Sequence, residues 1–209
     1  MLKEKNKIIY ILAITIIMIG IVLFFMPLFQ KNKEIKKEEE KIQEFFEEDK
    51  EVKEEIITTT KTSEKEYNNT SSNYVMVLDI PKMNLKKGLY DVSSKYNNVN
   101  KNIQIMKQSD MPDVENGNLI LASHNGNSRV SYFDKLNYLK KGDEVYIYYK
   151  GYKYTYEISH MYDADKNGTI TVHRDNKETV IVLISCKKGT SDKQIVYIGN
   201  LKSKGNYGG

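Results

Sequence analysis

The chain has very few cysteines and arginines. Its 209 residues include one cysteine, Cys186, and two arginines, Arg129 and Arg174. A single cysteine excludes an intrachain disulfide, so Cys186 is either a buried apolar side chain or a working thiol. Residues 74–209 carry 20 basic and 14 acidic residues, but this surplus is scattered and no nucleic-acid motif accompanies it. We therefore predict no nucleic-acid binding and only a mild attraction to an anionic envelope.

Charge is also missing from a long segment near the start of the chain. Residues 1–7 contain three lysines, whereas residues 8–29 carry no charge and consist mainly of Ile, Leu, Met and Phe. A helix needs about 20 such residues to span a hydrocarbon core. A cleaved signal peptide would have a shorter apolar region and small residues at its exit. We therefore predict a cytoplasmic N-terminus at 1–7, a single-pass membrane anchor at 8–29, and an extracytoplasmic remainder.

The next segment is rich in both lysine and glutamate. Residues 31–56 contain 7 basic and 11 acidic residues, and their apolar residues fall only roughly on heptad positions. We predict a charged helical stalk over 30–56, with a weakly dimerising coil as the alternative; the oligomeric state is left open. Residues 57–73 have too little apolar content to fold, so they are predicted to form a flexible linker.

Residues 74–209 have the pattern of a single, mainly β domain. Short apolar or alternating runs recur with turn residues between them. The predicted strands are 74–80, 118–123, 144–149, 153–159, 179–185 and 194–198. The third and fourth read as a hairpin, and helical spacing is confined to short segments such as 128–139. Short strands without long intervening helices predict a closed antiparallel β-barrel with short helices.

Two of these predicted strands end in residues that suit covalent catalysis. His124 follows the apolar run 118–123, and Cys186 follows the run 179–185. A thiol needs a neighbouring base or acid to raise its thiolate fraction and to manage protons during acyl transfer. Two strand ends can bring such a pair to one edge of a sheet. His160 and His173 have no comparable setting, and we expect them to be structural or exposed.

Four short motifs, taken in order, resemble those of the sortase family. They are Leu-Asp-Ile-Pro at 78–81, Leu-Ile-Leu-Ala-Ser-His-Asn at 119–125, Phe-Asp-Lys-Leu at 133–136 and Val-Leu-Ile-Ser-Cys at 182–186. The order of anchor, tether, histidine and cysteine is also similar to that of the family. Sortases are membrane-anchored cysteine transpeptidases of bacterial surfaces. The resemblance covers residues 74–201 and leaves the subclass open.

The resemblance implies a reaction and two catalytic residues. Cys186 would attack the carbonyl that follows Thr in an LPxTG-like sorting signal, and His124 would protonate the departing amine. An amine from a cell-wall precursor or from another protein would then resolve the thioester. The expected partners are thus surface proteins that carry sorting signals, together with an amine acceptor of the envelope.

The resemblance also implies an arginine on the strand after the cysteine, where it would stabilise an oxyanion. This chain has Lys193 near that place, and an ammonium lacks the planar fork of a guanidinium. We predict Lys193 in this role, with Arg129 or Arg174 reaching in from a loop as alternatives. Asn125 and Ser185, next to the predicted pair, are candidates for substrate binding, and so are Arg129 and Arg174.

A turn-like stretch resembles the first half of a calcium loop. Asp163, Asp165 and Asn167 supply oxygens at alternate positions, but Arg174 stands where the loop needs a bidentate glutamate. A polar turn is the simpler interpretation. We predict no cofactor, with calcium as an alternative because some sortases bind it near a comparable loop.

The departure at Lys193 leaves a second function open. The domain could be a weakly active or inactive sortase-like protein that binds sorting signals or envelope components. Alternatively, it could be a structural envelope protein that assembles through its stalk. Reactivity of the Cys186 thiol distinguishes these alternatives from a transpeptidase.

Overall fold

The computed structural model describes residues 2–58 and 74–207. Helix α1 spans Leu2–Thr58. Eight strands follow: β1 (Met76–Ile80), β2 (Leu85–Leu89), β3 (Gln104–Ile105), β4 (Asn118–Ala122), β5 (Glu144–Tyr149), β6 (Tyr152–Asp165), β7 (Val180–Cys186) and β8 (Lys193–Asn206). Two 3₁₀ turns, Pro81–Met83 and Leu136–Tyr138, are the other helical elements of the described residues.

Helix α1 contains both the predicted anchor at 8–29 and the predicted stalk at 30–56. In the part of the chain that the structure describes, no helix is long and apolar enough to cross a membrane. The side chains of 8–9, 11–13 and 27–28 lie outside the described residues. Most of the predicted linker, residues 59–73, also lies outside the described residues.

The chain divides into two compact units, Met1–Glu40 and Lys41–Gly209. Within the second unit, Ile42 and Phe45 of α1 are 7% and 5% exposed and pack against Tyr74 and Val77. Apolar residues at this helical spacing form one face, and burying that face stabilises the helix. The charge of the stalk predicted a helix exposed to solvent on all sides. The structure differs, because the side chains on this face are buried.

The eight strands form one sheet in the order β2-β1-β5-β6-β8-β7-β4-β3, curled into a nearly closed barrel. Every strand contributes to one barrel core, including Leu78, Leu89, Ile105, Leu121, Ile147, Tyr156, Leu183 and Tyr197. The predicted mainly β barrel is confirmed. Two details were wrong: the short strands β2 and β3 remain as edges of the sheet, and β4 pairs with β7 in parallel. A parallel pair needs a long crossover connection, and here that connection contains β5 and β6.

Strand β7, together with residues 195–198 of β8, is apolar on both faces. One face of β7, with Ile181 and Leu183, points into the barrel core. Its other face belongs to a second group, the outer apolar cluster, made of Val180, Val182, Ile184, Val196 and Ile198. Ile170 and Val172, from the segment between β6 and β7, pack on this cluster. Burial of both faces explains why β7 reads as an unbroken apolar run.

The predicted hairpin is confirmed, but the predicted helical segment is not. Strands β5 and β6 pair antiparallel around Lys150 and Gly151, both with positive φ (47° and 75°), as a type I′ turn requires. Residues 128–139 form turns with a single 3₁₀ turn at Leu136–Tyr138 instead of a helix. Phe133 and Leu136 are fully buried, so their spacing reflects contact with the core and not an amphipathic helix.

Candidate active site

Parallel pairing of β4 and β7 brings His124 and Cys186 to the same end of the sheet. Ala122 is the Cα partner of Ile184, and the Ser123 N–H donates to the Ile184 carbonyl at 3.2 Å. His124 and Cys186 lie two positions beyond that pair, with the same sequence offset. Both are half-buried. Alternation along β7 puts Cys186 on the face of Ile184, which is the face of the outer apolar cluster, whereas His124 lies in the loop that follows β4.

The His124 ring is held by a residue that the sequence analysis missed. Its Nε2 lies 3.0 Å from Oδ1 of Asn100, in the segment between β2 and β3. An amide oxygen only accepts, so Nε2 carries the proton in this contact. Nδ1 is then left to exchange a proton in the neutral ring. Asn100 stands in an asparagine-rich stretch with no pattern of its own, so the sequence carried no signal for it.

Asn125 connects the two strand ends. Its Nδ2 donates to the Cys186 carbonyl oxygen at 2.9 Å. Its Oδ1 is buried and has no hydrogen-bond partner among the described residues. The contact fixes the backbone that carries the thiol relative to the backbone that carries His124. A role in binding substrate stays a prediction for Asn125.

Ser185 does not face the site, contrary to its predicted role in substrate binding. It is 2% exposed, and its Oγ donates to the Ser123 carbonyl oxygen at 2.8 Å. Neighbouring residues of a strand point to opposite faces, so Ser185 points away from the face of Cys186. Its hydroxyl fastens β4 to β7 instead of contacting a ligand.

Lys193 is likewise directed away from the thiol. It belongs to β8, where it shares a face with Ile195 and Tyr197, both in contact with the barrel core. Its Nζ lies 2.5 Å from Oδ1 of Asp165, a contact that raises the lysine's pKa. The predicted oxyanion-stabilising role of Lys193 is therefore wrong in geometry. The residue paired with Cys186 is its neighbour, Gln194.

The two arginines differ in position. Arg174 donates from Nη1 to the carbonyls of Asn116 and Glu178, at 2.8 and 2.9 Å. Those carbonyls lie at the start of β4 and β7, and Cys186 ends β7. At about 3.3 Å per residue, six residues of strand separate the two ends by about 20 Å. Arg174 therefore fastens loops and does not reach the thiol. Arg129 is exposed on the loop after His124, and its role stays a prediction.

The predicted calcium ligands contact groups of the protein. Asp163 forms an ion pair with Lys187, and Asp165 forms one with Lys193. The Asn167 Oδ1 accepts the Thr169 N–H at 3.1 Å. Over residues 2–58 and 74–207, no group of three or more His, Cys, Asp or Glu side chains is placed to hold a metal ion. The oxygens of these residues thus contact other groups of the protein, and calcium stays an alternative to the prediction of no cofactor.

Known proteins similar in sequence to this chain are sortases. The family model for the sortase domain matches residues 78–202, more than half of the chain. Sortase A of Bacillus anthracis is 27% identical over 207 residues, covering 95% of this chain and 96% of that protein. Sortase D of Bacillus subtilis (strain 168) is 27% identical over 110 residues, covering 53% of this chain and 52% of that protein.

Solved structures of the same family share this fold. The Clostridium perfringens sortase D5 transpeptidase superposes with a TM-score of 0.58 at 22% identity, covering 79% of this chain and 98% of that one. Listeria monocytogenes sortase A gives a TM-score of 0.55 at 22% identity, covering 65% and 91%. The chain therefore belongs to the sortase family of cysteine transpeptidases.

Proposed function

We propose that this chain is a transpeptidase whose nucleophile is Cys186 and whose acid and base is His124. The observation that carries the proposal is their placement: Cys186 is the last residue of β7, and His124 follows the paired strand β4 at the matching sequence offset. Paired strands that lead directly to both residues hold a nucleophile and its proton donor in a fixed relation. A cysteine that was only part of the core would not need a histidine at the matching position.

The reaction proceeds in two steps. The Cys186 thiolate attacks the scissile carbonyl carbon, a carbon–sulfur bond forms, and the peptide carbon–nitrogen bond breaks as His124 gives its proton to the leaving amine. A second amine then attacks the thioester and gives its proton to His124. The new amide forms, and the thiolate leaves as the carbon–sulfur bond breaks.

The substrate is proposed to be an LPxTG-like sorting signal of a surface protein, cleaved after Thr. An apolar leading part of the peptide is supported by the segment that covers the outer apolar cluster next to the end of β7. Ile170 and Val172, packed on this cluster, suit a wall for such a peptide. The proposed acceptor is an amine of a cell-wall precursor or of another envelope protein.

We also propose that the chain works at the outer face of the membrane, held there by residues 8–29. Ile14, Phe24 and Phe29 of α1 are 60–73% exposed, and large apolar side chains between them are exposed as well. Contiguous exposed apolar surface of this kind marks a lipid or protein contact. Alkaline extraction of cell membranes tests this: retention in the pellet supports the anchor, and release into the supernatant refutes it.

The proposed function is tested by mass spectrometry of the full-length chain with a pool of LPxTG peptides in which x is varied. We expect an acyl adduct on Cys186 in the wild type and none in Cys186→Ala. His124→Ala should leave the fold intact and abolish turnover. A folded wild type that forms no adduct with any peptide would refute the transpeptidase. A thiol inert to a vinyl sulfone would favour the binding-protein alternative. That alternative is also supported by the pairing of Lys193 with Asp165, away from the thiol.

A further inference from the structure

Strands β7 and β8 pair without interruption up to the nucleophile. Their antiparallel register runs from Val180↔Asn200 to Cys186↔Gln194 with no bulge, and the Lys187 N–H continues it by donating to the Lys193 carbonyl at 3.0 Å. Gln194 is therefore directly opposite Cys186. Opposed residues of an antiparallel pair have their Cβ atoms about 4.5–5.5 Å apart and share a face of the sheet.

The packing of the neighbouring residues establishes which face this is. Val196 and Ile198, at alternate positions after Gln194, belong to the outer apolar cluster together with Ile184. Lys193 alternates instead with Ile195 and Tyr197, whose side chains contact the barrel core. A shift of one residue along a strand reverses the face, so Gln194 and Lys193 are not interchangeable. Only Gln194 shares the face of Cys186.

The Gln194 amide is also available to a ligand. The residue is half-buried, and its side chain forms no hydrogen bond with another described residue. An amide group carries two N–H donors and no charge. Side-chain amides are among the groups that stabilise an oxyanion when they are held next to the reacting carbonyl.

From this placement we propose that Gln194 donates a hydrogen bond to the scissile carbonyl oxygen during attack by Cys186, in the role that Lys193 was predicted to fill. This inference rests on the proposed transpeptidase function. The donor is neutral, so the developing negative charge on the oxygen is stabilised by a dipole instead of a full positive charge. Lys193 has a different role: it anchors the end of β6 through Asp165.

The test is single-turnover acylation of the full-length chain by the same LPxTG peptide pool, followed by mass spectrometry. Removing one oxyanion donor lowers the rate by about 10²–10³-fold. We expect Gln194→Ala to slow acylation by about 100-fold with little change in peptide KM. Gln194→Glu should be at least as slow because a carboxylate repels the oxyanion, and Gln194→Arg should recover the rate because it restores donors. Lys193→Ala, the matched control, should stay within about twofold of the wild type.

A second readout separates chemistry from folding. Labelling of Cys186 by a small methanethiosulfonate should be unchanged in Gln194→Ala, because that reagent needs no oxyanion donor and the substitution places no charge beside the thiol. If Gln194→Ala acylates like the wild type, or Lys193→Ala shows the larger loss, the inference is overturned while the proposed function stands. If the wild type labels but never acylates, the proposed function and this inference fail together.

Discussion

The Ser185 hydroxyl donates a hydrogen bond of 2.8 Å to the carbonyl oxygen of Ser123, across the parallel strands β4 and β7. Each serine immediately precedes one member of the proposed pair, His124 or Cys186. The bond is buried, so water does not compete with it. It therefore helps to fix the separation of the two strand ends that carry the chemistry.

Replacing Ser185 by Ala should weaken this connection. Losing a buried hydrogen bond and leaving its acceptor unsatisfied costs about 1–3 kcal/mol of unfolding free energy, measured by urea denaturation. Acylation should also slow severalfold, because the two strand ends are held less firmly. Ser203→Ala, at an exposed position on β8, is the control and should change neither quantity. An unchanged urea midpoint for Ser185→Ala would show that the hydrogen bond does not stabilise the fold.

Replacing Asn100 by Ala should impair turnover without unfolding the domain. The Asn100 oxygen accepts the proton of His124 Nε2 and so fixes which ring nitrogen is left for the reaction. Loss of comparable orienting contacts costs about 10–100-fold in activity at metal-bound histidines, and we expect about 10-fold here. Asn100→Asp keeps an acceptor oxygen and should recover part of the rate. Equal losses in both variants would indicate that the contact does not orient the ring.

Replacing Phe45 by Ala should loosen the end of α1 that packs on β1. Phe45 is almost fully buried in the cluster with Ile42, Tyr74 and Val77. Truncating a buried Phe costs about 3–5 kcal/mol when its contacts are lost. Limited trypsin digestion should then cleave sooner after Lys41. Glu44→Ala, at an exposed position one residue earlier, is the control. Cleavage at the same rate in Phe45→Ala and wild type would contradict the docking.

Protonation of Glu144 should lower the stability of the folded domain at acidic pH. Hydrogen bonds from Tyr146 at 2.7 Å and from Lys202 at 3.0 Å lower the pKa of its carboxyl below the ordinary 4.5. A depressed pKa in the folded state adds stability above pH 4.5, and that stability is lost as pH falls through the folded-state pKa. The thermal midpoint of Glu144→Gln should therefore change less than that of wild type as pH falls below 4.5. Parallel curves would refute this contribution.

The sequence contained enough information for most strands and for the histidine–cysteine pair. Strands such as β5 and β7 are rich in β-branched or aromatic residues, and such residues favour strands, so these strands could be predicted. Strand β2 was missed because Leu85–Leu89 contains two lysines and a glycine, and β3 is only two residues long. Both are edge strands, whose pairing depends on neighbours far along the chain.

The errors at the site have a common physical cause. Lys193 and Ser185 each lie one residue from a position that faces the site, and neither the register nor the buried face of β8 could be read from its residues alone. Its positive charge made Lys193 the predicted oxyanion donor. The strand register instead puts Gln194 opposite Cys186, and we propose Gln194 for that role. The contact of Asn100 with His124 was beyond prediction because it joins segments 24 positions apart through a loop of irregular structure.

The parallel pairing of β4 and β7 also has a consequence for the order of folding. The residues that it aligns are 62 positions apart, and strands β5 and β6 must be synthesised between them. Contacts of such long range form slowly, because the chain must close a large loop before they contribute any stability. The β5–β6 hairpin, with its tight turn, can form early and locally. A chain still emerging during synthesis thus has its histidine long before its nucleophile, and it cannot act on peptides until the barrel is nearly complete.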